Sequence, residues 1–426
     1  MSEIVLLDTA SDLNKIKCIS IPFDENTPGY YAISYRWGVH AEWKAQTPNY
    51  VASITSVSQE NLINLCKILR PETRYLWIDV VCINQANVFH RKMAIKNMDN
   101  IYRKAKRIIA VPDLCYCAGY PLMEDVSKEH IIAAVKETSR EQTEWALVDP
   151  AVGGFYAAID RHHTMALKAT EYILRVIQDW AYRCWVISER TIGVKYDKLD
   201  LISLRANGTH ICYKQWGSFL NTIWDIETNQ YDLVHAILSS RSTKYIDRLF
   251  AILPHTKYKD AVQRLVDEGT SIHSKMDLYM TLFEILDGIG KSVLLAYAIT
   301  MLTKHERFKF RYVLPLFTKE EQFQYPTDAE KEYVPTIETT IRGGKHALKI
   351  SGPYVMYQQN VGSAIHLSDD EAGSTLDIFL RVHNSSTSSY QCLRCLRLNG
   401  IWTVDRIVAS SSESPDYRYG EFVMFE

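Results

Sequence analysis

No run in this 426-residue chain approaches the ~18 consecutive apolar residues of a membrane-spanning helix. The best stretch, Val293–Leu302, is too short and contains Tyr297 and Thr300. The opening residues Met1–Asp8 have neither a basic start nor a long apolar segment, so no secretory signal is expected. An excess of charge is lacking too. The 48 Lys and Arg stand against 50 Asp and Glu, which gives no bulk attraction to nucleic acid or anionic lipid. The nine cysteines form no framework, and their odd number points to reduced thiols and a cytoplasmic setting. Cys115/Cys117 and Cys392/Cys395 have no second pair or spaced histidines beside them, and His162 and His163 are adjacent. No metal site is expected from them.

What remains is the composition of a globular protein, 47% apolar and 23% charged. The length is enough for two or three domains. Tyr30–Gly38 reads as a strand ending at a glycine turn. Ser56 and Gln59 suggest a capping box for a helix that buries Leu62, Cys66 and Leu69 and stops before Pro71. Tyr75–Asp79 reads as a second strand, Val80–Asn87 as a loop, Arg91–Lys106 as a helix and Arg107–Pro112 as a third strand. This alternation implies α/β architecture with a flavodoxin-like parallel sheet. Residues 118–180 read as a mainly helical insertion. Trp180–Arg190 returns to the sheet, and Leu199–Leu204 is a further strand.

Residues 256–330 read as a helical region and 331–426 as a small β-rich C-terminal domain. Within the latter, Asn399-Gly400 between apolar runs signals a hairpin. Gly290-Lys291-Ser292 ends like a phosphate loop, but Ile285 stands where that motif needs glycine, which weighs against nucleoside triphosphate binding.

The chemistry concentrates at a few positions. In an open parallel sheet, ligands bind beyond the carboxyl ends of the strands. Ser34, Arg36, Trp37 and Gly38 close the first strand; Asp79 closes the second, and Cys82, Asn84 and Gln85 lie just past it. Arg183–Arg190 reads as a helix and places Glu189 four residues after Trp185. A carboxylate against an aromatic wall loses hydration and its pKa rises. Blander readings stand beside these: Glu189 pairing with Arg183 or Arg190, Asp79 capping a turn, the tryptophans as core and Cys82 as a small buried hydrophobe.

Five blocks in order resemble the fungal heterokaryon incompatibility (HET) domain. They are Tyr31–Gly38, Leu76–Gln85, Met98–Ala105, Arg183–Glu189, and Ser240–Thr243 with Asp247-Arg248. The resemblance assigns 1–255 to a HET domain with an insertion at about 118–180. HET domains are similar in fold to Toll/interleukin-receptor (TIR) domains, some of which hydrolyse NAD with a glutamate four residues after a helical tryptophan. The resemblance therefore implies nonself recognition and regulated cell death, with NAD as substrate rather than bound cofactor. It makes Glu189 the catalytic residue, and Ser34, Arg36, Trp37, Gly38, Asp79, Cys82, Asn84 and Trp185 the nucleotide-binding set. The same fold also supports a non-enzymatic signalling module acting by self-association or partner binding. One departure stands out: the family commonly has Gln before the glutamate, where this chain has Ser188.

Overall fold

The computed structural model describes residues 3–116, 126–133, 166–213, 226–300, 309–322, 334–358, 374–381, 389–411 and 418–426. Most of the expected insertion lies outside these. Among the described residues, two compact units form. One holds the residues up to 227 together with 236–269, and the other holds 228–235 and those from 270 onward.

The first unit is built on a seven-stranded sheet. Its strands are β1 (Glu3–Asp8), β2 (Cys18–Pro22), β3 (Tyr30–Tyr35), β6 (Tyr75–Trp77), β7 (Arg107–Val111), β8 (Leu199–Leu204) and β9 (His210–Tyr213), in the order β2-β1-β6-β3-β7-β8-β9. A separate hairpin pairs β4 (Trp43–Gln46) with β5 (Val51–Ile54). The four central strands β6-β3-β7-β8 run parallel. The pairs β2-β1, β1-β6 and β8-β9 are antiparallel. The sheet is therefore mixed rather than purely parallel. The expectation failed at the edges, where β1, β2 and β9 are short strands without crossover helices.

Burial explains the centre. Strands covered on both faces need near-continuous apolar runs. In β7, Ile108 to Val111 are all buried, and in β8 every residue from Leu199 to Leu204 is buried. Asp200 is tolerated there because Arg107 Nε donates to it at 2.8 Å. Asp113, just past β7, accepts from Ser203 Oγ at 2.8 Å and the Leu204 amide at 2.9 Å, which locks the ends of β7 and β8 together.

Helix α1 (Gln59–Leu69) buries Leu62, Leu65, Cys66 and Leu69. Its cap is Ser58, which accepts from the Asn61 amide, two residues after the expected start. The segment after β6 is not a simple loop, because Asp79–Cys82 forms one helical turn, α2. Helix α3 (Val88–Lys104) starts at an Asn87 cap. It ends on Lys198, whose Nζ donates to the carbonyls of Tyr102, Arg103 and Ala105 at 2.8, 2.6 and 3.0 Å. An ammonium there meets both the orphan carbonyls and the negative end of the helix dipole. Helices α4 (Ala166–Ala181) and α5 (Cys184–Lys195) follow, and then α7 (Tyr245–Ile252), a 3-10 turn (Leu253–His255) and α8 (Lys259–Asp267). Helix α6 (Gln230–Ser239) precedes α7.

The second unit contains α9 (Lys275–Ile285), α10 (Gly288–Thr300) and the strands β10 (Tyr312–Gln322), β11 (Thr336–Arg342), β12 (Lys345–Gln358), β13 (Ser374–Arg381), β14 (Ser389–Leu398), β15 (Ile401–Ser411) and β16 (Arg418–Phe425). Strands β12-β13-β14-β15-β10-β16 close back onto β12, so the β-rich tail is an antiparallel barrel with β11 added beside β12. Leu398 faces Ile401 across the turn, and Asn399 and Gly400 take φ of 50° and 76°, the left-handed pair that a two-residue hairpin turn requires. Gly288–Ser292 lies inside α10, and Lys291 Nζ donates to the Ile337 carbonyl at 3.0 Å, so this segment is a helix start and not a phosphate loop.

Candidate functional site

The carboxyl end of strand β3 carries four consecutive side chains of the first motif. Ser34 and Tyr35 are its last residues, and Arg36 and Trp37 follow directly. Because side chains alternate across a strand, Ser34 and Tyr35 point to opposite faces. Ser34 Oγ accepts from the buried Trp180 Nε1 at 2.9 Å. Tyr35 donates its hydroxyl to Asp79 Oδ1 at 2.8 Å, and Trp37 Nε1 donates to Asp79 Oδ2 at 3.0 Å. Asp79 also accepts from the Val80 amide at 2.7 Å. The first and second motifs thus meet at one carboxylate.

Glu189 reaches the same region from α5. It is 8% exposed, and the hydroxyls of Ser34 and Tyr102 are the polar groups whose influence reaches its carboxyl. Its Oε2 is buried and has no hydrogen-bond partner. Burial pushes Glu189 up to about 8, with Ser34 and Tyr102 opposing the rise and the Asp79 charge adding to it. Burial likewise raises Asp79, against the pull of Tyr35, Arg183 and Trp37. Two acids with raised proton affinity therefore lie in one another's field, and burial favours the neutral form of Glu189.

Cationic groups frame this pair. Arg183 donates to the Tyr35 carbonyl at 3.3 Å, and its guanidinium carbon lies 6.0 Å from the Trp37 ring centre. Arg36 pairs with Asp179 at 3.2 Å, and Arg241 holds the other oxygen of Asp179 at 2.8 Å. Arg241 also exchanges backbone hydrogen bonds with Tyr182 and Cys184 at the α4–α5 junction. The downstream arginine segment thereby fixes the entry to the helix that carries Glu189. Arg248 closes the carboxyl end of α6 by donating to Leu238 at 2.9 Å and Ile237 at 3.3 Å.

The remaining sequence-expected residues occupy varied positions. Gly38 is needed for close approach: a Cβ there would lie 2.9 Å from Cys115 Cβ and 3.0 Å from the Cys115 carbonyl. Cys82 is buried; its sulfur accepts from the Ile78 amide at 3.4 Å, and burial holds its thiol well above the ordinary range. Asn84 makes an Asx turn with the Ala86 amide at 3.2 Å, and Gln85 donates to the Asp79 carbonyl at 3.2 Å. Trp185 lines a different cleft, together with Ser188. The hydroxyls whose influence reaches the Glu189 carboxyl are those of Ser34 and Tyr102. Sequence reasoning missed Tyr35, Tyr102, Asp179 and Arg183 as members of the site. The alternation within β3 could have flagged Tyr35, whereas nothing local marks Asp179.

Among the described residues, no cluster of three or more His, Cys, Asp or Glu could hold a metal ion, and no helix is long and apolar enough to cross a membrane. No curated protein and no solved structure matches the chain. The family model described as Heterokaryon incompatibility protein (HET) matches residues 30–189, a span that runs from the first residue of β3 to Glu189 itself.

Proposed function

We propose that this protein acts in heterokaryon incompatibility and regulated cell death by cleaving the N-glycosidic bond of NAD at the Glu189 site. The observation that carries this reading is the Glu189 Oε2 atom, buried without a partner beside the end of a central strand. A neutral buried carboxyl with an unused oxygen is poised for a cationic ligand. The nicotinamide ring of NAD is a cation, and a positive charge nearby favours the ionised form of Glu189. As the bond breaks, its electron pair stays with nicotinamide and positive charge develops on the ribose. A carboxylate stabilises that charge, and water completes the hydrolysis. Trp37 is 45% exposed and presents a ring for a planar base. Arg183 and Arg36 supply positive charge for phosphate groups. The strand order supports the placement. Along the chain, the four parallel strands stand second, first, third and fourth, and the order reverses at β3, where a ligand crevice is expected in open α/β sheets. This order also fits the likeness to TIR domains implied by the motifs.

The test is nicotinamide release from NAD by purified wild type and by Glu189→Gln, each alone and fused to an oligomerising tag. Release by wild type, reduced at least a hundredfold in the variant with an unchanged circular dichroism spectrum, is expected. Equal release from both proteins would refute the assignment of Glu189. The exposed Val39, Val88 and Phe89 favour a second reading, a non-enzymatic module acting by self-association or partner binding. Clustered wild type that self-associates but releases no nicotinamide supports that reading instead.

A further inference from the structure

Ser188 precedes Glu189 on α5, but one residue along a helix is a turn of about 100°. The two side chains therefore leave the helix in different directions. Ser188 Oγ lies 2.6 Å from His255 Nε2. On the far side of the imidazole, His255 Nδ1 lies 3.6 Å from Asp99 Oδ1. These atoms come from three separate elements: α3 carries Asp99, α5 carries Ser188, and the 3-10 turn after α7 ends on His255.

The polarity of this chain of contacts is set by burial. Asp99 Oδ1 and His255 Nδ1 are both buried, and neither has a hydrogen-bond partner. At 3.6 Å no hydrogen bond joins them, but a proton on Nδ1 is the one placed to face the carboxylate. Nε2 is then left unprotonated, as an acceptor for the Ser188 hydroxyl proton. Asp99 is itself oriented by Arg103, whose Nε donates to Oδ2 at 2.7 Å. Catalytic hydrogen bonds in ligand-free structures are often longer than in the working complex, so 3.6 Å is within the range that closes on binding. Burial also lowers His255 to about 4, against the Asp99 charge that raises it, so the imidazole is a free base at neutral pH.

These groups open on a cleft of about 130 Å³. Ile95, Met98, Trp185, Phe250 and Val262 give it an apolar lining. Lys96 and Lys259 add positive charge. Lys96 is committed to Asp267 at 2.8 Å, which makes Lys259 the candidate donor to a developing oxyanion.

We infer that Ser188, His255 and Asp99 form a second catalytic centre, a serine esterase acting on carboxylic esters with a short apolar acyl group. A nucleophile, a base and a group orienting the base, in contact around a cleft, are the parts that acyl transfer requires. Ser188 Oγ bonds to the ester carbonyl carbon while its proton passes to His255 Nε2. The carbon–oxygen bond to the alcohol breaks, and the alcohol leaves with that proton. Water then repeats the sequence on the acyl-serine, releasing the carboxylic acid and returning a proton to Ser188 Oγ. The small cleft limits the acyl group to a few carbons. Because this chemistry runs on Ser188 and is read from esters, its outcome is separable from that of NAD cleavage.

The experiment treats the full-length protein with a fluorophosphonate probe and locates the adduct by peptide mass spectrometry. A parallel assay follows p-nitrophenyl acetate and p-nitrophenyl butyrate hydrolysis. The expected result is an adduct on Ser188 of the native wild type, lost when the protein is denatured before treatment. Labelling should fall at least a hundredfold in His255→Gln and at least tenfold in Asp99→Asn, although Ser188 remains in both. Wild type should release p-nitrophenol and Ser188→Ala should not. Should the Ser188→Ala protein fail to fold, the adduct on wild type still decides. An unmodified Ser188 under conditions that fully label a serine esterase control overturns the inference, and so does Ser188 labelling that persists in folded His255→Gln.

Discussion

Replacing Glu189 with Gln changes the pH dependence of folding in a way that tests the electrostatics of the site directly. The folded protein holds the Glu189 proton up to about 8, whereas the ordinary carboxyl value is 4.5. The sign follows from linkage. Below 4.5 both states are protonated, and the site costs the folded state nothing. As pH rises toward 8 the unfolded chain ionises first and gains stability relative to the folded one. Each pH unit in that window is worth about 1.4 kcal/mol. Between pH 5 and pH 7.5 wild type should therefore lose roughly 3 kcal/mol at this position alone. Gln has nearly the same shape and no such titration, so its stability relative to wild type should climb by that amount over the same range. One amide hydrogen of the variant meets the place where Oε2 has no partner, which adds a penalty of about 1–3 kcal/mol that does not vary with pH. The slope, not the offset, is the decisive quantity. Urea unfolding of both proteins at pH 5, 6, 7 and 7.5 measures it. Parallel stability curves would mean that Glu189 is already ionised in the folded protein, and the argument for a neutral poised carboxyl would fail.

Three further outcomes follow from the packing. Lys198→Met strands three carbonyls at the end of α3 and should lower unfolding stability by about 2–3 kcal/mol in a denaturant titration. Gly38→Ala forces the backbone away from Cys115 and should cost about 1–3 kcal/mol, read from the same titration; an unchanged midpoint would contradict the close approach. Of the eight cysteines described, seven are buried and Cys212 is half-buried. Native-state alkylation followed by mass spectrometry should modify Cys212 well before Cys66, Cys82, Cys392 or Cys395, whose thiols burial holds above the ordinary range.

The central strands were legible because parallel strands buried on both faces must be apolar throughout, as in Ile108–Val111 and Leu199–Leu204. The hairpin at Asn399-Gly400 was legible because few residue pairs accept two positive φ angles. The edge strands β1 and β2 and closure of the barrel were not. Antiparallel pairing between Glu3–Leu7 and Cys18–Pro22 rests on register, which leaves no periodic mark in so short a run. Closure depends on β16 meeting both β10 and β12, a long-range pairing that no local segment encodes. At the site, the sequence pointed to Asp79 and Glu189 through their motifs, but it could not name Asp179, which is drawn in only because Arg36 and Arg241 both need a counter-charge.

On helix α5, spacing alone leaves open which residue is the neighbour of Trp185. Trp185 and Glu189 are four apart and were expected to share a face, yet Ser188, three after Trp185, shares a helix surface with it equally well. The helix resolves this ambiguity by being buried nearly all round: Val186, Ile187, Ser188, Glu189, Arg190 and Ile192 all lie inside. A helix enclosed on every side has no solvent stripe to orient it, so its sequence carries no amphipathic signal. Its polar residues must then be satisfied on whichever side each one emerges. Glu189 emerges toward Ser34 and Tyr102, and Ser188 toward His255. Two distinct polar settings on successive residues follow from one geometric fact, that the helix is central rather than peripheral. A substitution at either residue should therefore disturb the chemistry on its own side first, and the nicotinamide and ester assays should separate the two.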